Sequence, residues 1–525
     1  MTASPPNAPP PPKGRAGLWL WLFVFSATLL TTGTMHIDGD SRLMCAAAAS
    51  VTDHLGLDVE GQMRRDVVYG PDGKYYTSYP ILPILACVPG RALGWLGRQI
   101  APAWGHLLAG VVPAAFAATS ALLFFFLARR FWCRPPLAVG GALALVFTTF
   151  LWAYGRKLYS EQLQVIFVLA CALASLRAKE RPTRGAYLWL GVAGGLALHV
   201  KTPLAAMGIG ALLHQLHGGI SRARLGRMLV FGGFGVAPFV LLWLGYNYLR
   251  TGELLDSAYN QGQSLAIGLS VPLASGLHGL LFSPGKSIFL YAPLLLLSGA
   301  GLRSLWHRNR GEFYLLVVPS LALLVVAAKW WDWSGDWGWG PRLLAPLVPL
   351  MLLPALLAMK RGRPWNALGT ALGAAGFVAN GLGVVVSDAH YLQIVWSTTR
   401  ASLRATNHTF FLRDDLVIPH FVPEMNPIVG HGWLLDLWRR GEPWTPERWY
   451  PWKSLGVPAW RPVGDIVPDN LNLWFEGGGA DRWLALTLAL GIGVLVTLAA
   501  LLWQAARPAA TAKPPRAEPP SERPG

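Results

Sequence analysis

Residues 104–134 read WGHLLAGVVPAAFAATSALLFFFLARRFWCR, and this stretch decides the fold. No Asp, Glu, Lys or Arg interrupts it from Trp104 to Ala128, and it then ends in Arg129, Arg130 and Arg134. A helix of about 20 apolar residues crosses the hydrocarbon core of a bilayer, and a basic cluster at its end marks the cytoplasmic side. Similar apolar runs recur along the whole chain. The candidate spans are 18–35, 104–128, 137–153, 158–176, 186–198, 203–217, 228–248, 287–304, 312–328, 343–359, 366–386 and 483–504. The predicted fold is therefore an all-α polytopic membrane protein of about twelve transmembrane helices.

The charges set the orientation. With the N-terminus in the cytoplasm and the spans alternating, the inner loops contain RRFWCR, RAKERPTR, SRARLGR and KRGR. Half of the 44 Lys and Arg residues then fall in a small inner fraction of the chain, while nearly all acids face outward. The run 81–98 contains Pro83 and Pro89 and ends at Arg98. Counted as a span, it would invert everything after it, so it reads as an interfacial helix on the outer side. The net charge of +17 is thus explained by topology, and nucleic acid is not an expected partner.

The resulting organisation begins with a Pro-rich cytoplasmic tail, 1–17, and an uncleaved first helix. A transmembrane module, 18–386, includes a first outer loop at 36–103. An outer cap of 387–482, a last helix at 483–504 and a second disordered tail at 505–525 complete the chain. Both termini are expected in the cytoplasm. Cys45, Cys87, Cys133 and Cys171 show no metal-type spacing, and no disulfide framework is expected.

Candidate chemistry lies on the outer loops. After the first span comes HIDGD, with Asp38 and Asp40 flanking Gly39. Either carboxylate could act as a general base; the alternative is a pair of solvated loop acids or a cap for the helix that follows. The segment GPDGKYYTSYP contains Lys74 and Tyr79, and suits a lipid phosphate or a plain aromatic belt. In GRKLYSEQL, Glu161 opens a span near Arg156 and Lys157, either as a functional acid or as a surface ion pair. Lys201 sits in HVKTP at the same level. KWWDWSGDWGWGPRLLAP carries Asp336 and ends at Arg342, whose guanidinium could bind phosphate or simply snorkel.

These elements, in this order, resemble the GT-C superfamily of polyprenyl-phosphate-sugar glycosyltransferases. The chain is most similar to bacterial relatives of the protein O-mannosyltransferases and the lipid A aminoarabinose transferases. The resemblance rests on Asp38-Gly39-Asp40, GPDGKYYTSYPILPILACVP, LYSEQL, YNYLRTGELLDSAY, SPGKSIFLYAP, WSGDWGWGPRLLAPLVPL and NPIVGHGWLL. It implies a GT-C-like bundle in a bacterial inner membrane, with interfacial helices and a small C-terminal periplasmic cap. It also implies an inverting transferase that moves a sugar from a polyprenyl-phosphate donor to a lipid, glycan or protein acceptor on the periplasmic side. By that resemblance Asp40 is the leading base and Asp38 its support or alternate. Glu161 matches a second acidic position. Arg342, Lys201 and Lys74 are candidates for the carrier phosphate, with Tyr79 and Asp336 in the substrate-binding set.

Two departures bear on these roles. Asp40 is followed by Ser41 rather than Glu, and Tyr79 stands before Pro80 where the aminoarabinose transferases carry Lys. No cofactor is required by this reading. A divalent metal at HIDGD is compatible with it but has no second ligand cluster in support. A secondary transporter would place its charges near the midplane, and a ligase would join a lipid-linked glycan to an acceptor; both remain alternatives.

Overall fold

The computed structural model describes residues 15–32, 39–59, 67–258, 268–335, 338–387, 391, 394–395, 418–442, 487 and 490–501. Asp38, Asp336, residues 1–14, the tail 505–525 and most of the expected 387–482 cap lie outside these residues.

The chain starts with α1 (Ala16–Leu30), then turns into α2 (Gly39–His54). Three short strands follow: β1 (Asp58–Val59), β2 (Val67–Tyr69) and β3 (Tyr75–Thr77). They form an antiparallel sheet in the order β1-β3-β2, with Tyr76 opposite both Asp58 and Val68. This sheet departs from the all-α expectation. The Pro71-Asp72-Gly73 turn makes it possible: Gly73 has φ +81°, and the Gly70 amide donates to the Lys74 carbonyl at 2.8 Å.

The run expected at the interface is a helix with the expected bounds, α3 (Ile81–Arg98). It folds back on α4 (Pro102–Arg130) through close contact of small residues. A Cβ at Gly97 would lie 2.4 Å from the Trp104 carbonyl oxygen, so only glycine fits this crossing.

The rest of the bundle comprises α5 (Pro135–Phe147), α6 (Leu151–Tyr154), α7 (Glu161–Glu180), α8 (Arg184–Val200), α9 (Ala206–Leu216) and α10 (Arg222–Thr251). Then come α11 (Leu273–Phe282), α12 (Ile288–Tyr291), α13 (Ser298–Arg308), α14 (Arg310–Lys329), α15 (Leu347–Met359) and α16 (Arg363–Val385). NPIVGHGWLL forms the start of α17 (Pro427–Arg440), capped by the Asn426 side chain, which accepts from the Ile428 and Val429 amides. A last apolar helix covers Leu490–Leu501.

Among the described residues, five helices are long and apolar enough to cross a membrane: α4, α7, α10, α14 and α16. Other expected spans are shorter or broken, for a local reason. The run 287–304 stops at Tyr291, passes through a 3-10 turn at Pro293–Leu297 and resumes as α13. Pro293 has no amide hydrogen to continue the helix. The run 343–359 likewise begins as a 3-10 turn, Arg342–Leu344, before α15. One large apolar core joins α1, α4, α5, α7, α14 and α15, and a smaller one packs α2 on α3 through Met44, Ala47, Ile84 and Cys87.

Candidate active site

Asp40 lies in the first turn of α2, where exposed backbone amides favour a negative charge. Arg342 reaches it across 302 residues, with Nη1 donating to Asp40 Oδ2 at 2.6 Å. The same Nη1 lies 3.8 Å from Glu161 Oε1. Glu161 opens α7 and is almost fully buried, and among the described residues its Oε2 has no hydrogen-bond partner. Lys201, just past α8, is near enough for its charge to act on Asp40, Glu161 and Arg342. Tyr79 lies close enough to Asp40 to help hold its carboxyl in the charged form. Five residues singled out in the sequence therefore meet at one end of the bundle, brought there by the connections after α1, before α3, before α7, after α8 and before α15.

Burial alone would lift the Asp40 carboxyl. The Arg342 guanidinium, which both attracts and hydrogen-bonds it, overrides that effect with help from Tyr79 and holds it below the usual carboxylate range. Asp40 is therefore ionised at neutral pH. Burial pushes the Lys201 ammonium down, against the pull of Glu161.

The loop that presents Arg342 is held from several directions. Arg342 Nε donates to the Gly335 carbonyl at 2.7 Å. Lys286 Nζ donates to the carbonyls of Gly338 and Gly340 at 2.6 and 3.1 Å. The Tyr154 hydroxyl donates to the Trp339 carbonyl at 3.0 Å, and Trp339 Nε1 donates to Asn380 Oδ1 at 3.1 Å. Gly340 is left-handed at φ +63°, and a Cβ there would lie 2.9 Å from the Tyr291 ring. The Tyr159 ring lies 5.9 Å from the guanidinium carbon. The tryptophans of this stretch thus do more than mark an interface: Trp339 is buried and fixes the backbone.

Other expected residues are placed elsewhere or not described. Lys74 sits half exposed on the β2–β3 turn, 3.8 Å from Asp58, and is not part of the cluster. Asp38 and Asp336 are outside the described residues. Arg156, expected beside Glu161, turns away and donates to the Val384 carbonyl at 2.5 Å. Sequence reasoning gave no role to Lys286, Tyr154, Tyr159, Tyr246 or Arg250. The motifs SPGKSIF and YNYLR flagged three of these positions, but only the fold shows what they grip. Among the described residues no group of three or more His, Cys, Asp and Glu could hold a metal.

The model of the dolichyl-phosphate-mannose-protein mannosyltransferase family matches residues 95–244, which include Glu161 and Lys201. No curated protein matches the chain at a significant level. Among solved structures, the chain is similar to the archaeal oligosaccharyltransferase AglB from Archaeoglobus fulgidus, in complex with an inhibitory peptide and a dolichol-phosphate. Identity is 12% and the TM-score 0.43, over 86% of this chain and 60% of that one. The apo form of an Archaeoglobus fulgidus oligosaccharyltransferase gives 13% identity and a TM-score of 0.41, over 86% and 61%. The chain thus spans about 60% of the length of these structures. The family match, over residues 95–244, agrees with the resemblance to GT-C glycosyltransferases read from the motifs.

Proposed function

We propose that this chain transfers a sugar from a polyprenyl-phosphate carrier to a glycan, lipid or protein acceptor, with inversion at C1, on the outer side of a bacterial inner membrane. The observation that carries the reading is the group formed by half-buried Asp40 with buried Arg342 and Glu161, and Lys201 beside it. It combines an ionised carboxylate with cations at one end of an apolar bundle. A lipid-linked sugar presents its reactive bond at that level, within reach of residues on interhelical connections.

In the proposed reaction the acceptor hydroxyl or amine attacks C1 and passes its proton to Asp40. The bond between C1 and the phosphate oxygen breaks, and the carrier phosphate leaves with its charge met by Arg342 and Lys201. The resting geometry adds a condition. A carboxylate held ionised by an arginine is a weak base until that positive charge turns to another anion. The carrier phosphate is such an anion, and Arg342 Nη2 makes no hydrogen bond among the described residues. Donor binding would then draw Arg342 from Asp40 and leave the carboxylate more basic when the acceptor arrives.

The test uses the full chain in lipid nanodiscs, a labelled panel of polyprenyl-phosphate hexoses and pentoses, and membranes from the source cell as acceptor. Asp40→Asn keeps shape and hydrogen bonding but loses basicity. It is expected to insert and bind donor normally while turnover falls by at least about two orders of magnitude. Near-normal turnover in Asp40→Asn would sink the assignment of Asp40, and no consumption of any donor by the wild type would sink the reaction class.

A further inference from the structure

A small cavity lies between the end of α8, the chain before α3 and one face of α10. His199 and Thr202 line it from the α8 end, Ser78 from the approach to α3, and Trp243, Tyr246 and Arg250 from α10. These last three recur at three- and four-residue spacing, which puts them on one face of the helix. Lys201 stands between His199 and Thr202 in the chain, so the cavity and the Asp40 cluster draw on the same short connection.

The polar groups of the cavity differ in what they have left to offer. Arg250 Nη1 donates to the carbonyls of Thr77 and Tyr79 at 3.0 and 3.3 Å, and Nε to that of Tyr246 at 3.3 Å. Nη2 donates to Asn247 Oδ1 at 2.9 Å and to the Ser257 carbonyl at 3.5 Å. Five acceptors thus meet a group that has five N–H donors, and the guanidinium is spent. The Tyr246 hydroxyl is committed as well, donating to the Tyr79 carbonyl at 3.2 Å.

His199 is the opposite case. It is 2% exposed. Its Nε2 lies 2.7 Å from the Phe239 carbonyl oxygen, which can only accept, so Nε2 carries the proton. Among the described residues no carboxylate bonds the ring, and a buried charge without one is costly, so the imidazole is neutral. Nδ1 is then an acceptor, and among the described residues it has no hydrogen-bond partner. A polar atom buried this deeply calls for a donor.

We propose that this cavity is a hydroxyl subsite for the donor sugar: one sugar hydroxyl enters it and donates to His199 Nδ1. The proposal rests on the reading of the donor as a lipid-linked sugar, and not on Asp40 being the base. The cavity has room for about one water-sized group, which suits a hydroxyl and is too small for a phosphate. A lone pair beside a spent guanidinium also gives an anion nothing to bind. Trp243 adds an apolar wall next to the polar groups, the usual make-up of a small-molecule site. Such a subsite selects, because a sugar without that hydroxyl leaves the buried acceptor unpaired.

The test reads binding rather than turnover, with the full chain in lipid nanodiscs. The probes are polyprenyl phosphate alone, polyprenyl-phosphate mannose, glucose and arabinose, and the monodeoxy forms of each. The quantity read is the sugar increment, the factor by which the sugar tightens binding of the carrier. His199→Gln keeps a donor for the Phe239 carbonyl and removes the Nδ1 acceptor. It is expected to cut the increment of the best-bound sugar about tenfold and to leave the bare carrier within about twofold of wild type. One monodeoxy form should lose the same factor in the wild type and lose nothing further in His199→Gln, because both changes remove one bond. His199→Phe fills the same space without either nitrogen and carries the same expectation. An unchanged increment in either variant overturns the proposal and leaves the cavity to a water. An equal loss for the bare carrier overturns it too, as does a panel in which no sugar tightens binding. If neither variant folds, the wild-type series decides, equal binding of every monodeoxy form overturning the proposal. Donors that bind with an increment dependent on His199 and are never consumed would remove the transferase reading and leave the subsite intact.

Discussion

Replacing Arg342 by alanine tests the candidate site through stability as well as chemistry. In the structure one guanidinium serves Asp40 at 2.6 Å and Glu161 at 3.8 Å, with side-chain exposures of 9% for Arg342, 25% for Asp40 and 2% for Glu161. At about 4 Å and an effective dielectric of about 20, one such pair is worth on the order of 4 kcal/mol before desolvation. Most of that is offset by the cost of burying the ions, so the intact cluster contributes little net stability. Removing only the cation is different, because it strands two carboxylates with Lys201 as the nearby cation identified among the described residues. Arg342→Ala is therefore expected to destabilise the fold by about 3–5 kcal/mol. The Asp40 share falls at the low end, since water reaches that carboxylate. Adding Glu161→Gln removes the more deeply buried charge and should recover about 1–3 kcal/mol of the loss. Arg342→Lys should fall between, since an ammonium cannot serve the Gly335 carbonyl and Asp40 in one planar fork. The assay is the thermal unfolding midpoint in one detergent, followed by intrinsic tryptophan fluorescence. An Arg342→Ala midpoint equal to wild type would refute the reasoning, as would a double variant no more stable than the single one.

Three further outcomes can be checked independently. Lys74→Ala should leave donor use within about twofold of wild type, because Lys74 faces Asp58 on an exposed turn; the labelled-donor assay reads this directly. Gly301→Ala should destabilise the α13–α15 crossing by about 1–3 kcal/mol or more, since its Cβ would lie 1.7 Å from the Pro354 carbonyl oxygen, while Gly299→Ala meets nothing within 4 Å and serves as control in the same unfolding assay. Reporter fusions after residues 100, 275 and 430 should all report the non-cytoplasmic side, and a cytoplasmic signal at 275 would break the proposed alternation of spans.

The sequence made the helical, membrane-spanning character legible because hydropathy and charge act locally. The bounds of α3 followed from the same apolar pattern, which ends at a terminal arginine. Pattern alone overstated the continuity of helices such as 287–304, where Pro293 forces a 3-10 turn inside an apolar run. It also missed the three-stranded sheet, whose strands of two or three residues are too short to show a period of two. At the site, Asp40, Glu161, Lys201 and Arg342 could be picked out because charges beside apolar runs are conspicuous. Their meeting could not, because it depends on contacts across as many as 302 residues. Lys286 and Arg250 stood inside conspicuous motifs, but their roles stayed hidden for another reason. Most of their partners are backbone carbonyls, which every residue carries and no motif can mark.

The loop that ends in Arg342 has a bearing on engineering. Its shape is written mostly outside itself, in Tyr154, Lys286 and Asn380, each contributed by a different segment. Such a loop is not a portable cassette. A chimera that receives only 331–342 from a relative would inherit the tryptophans and the arginine without the donors and acceptors that fold them, and its guanidinium would lose its aim. Shuffling between homologues would have to move these three distant positions together with the loop, so recombination breakpoints between Tyr154 and Asn380 are where hybrid enzymes of this kind should fail most often.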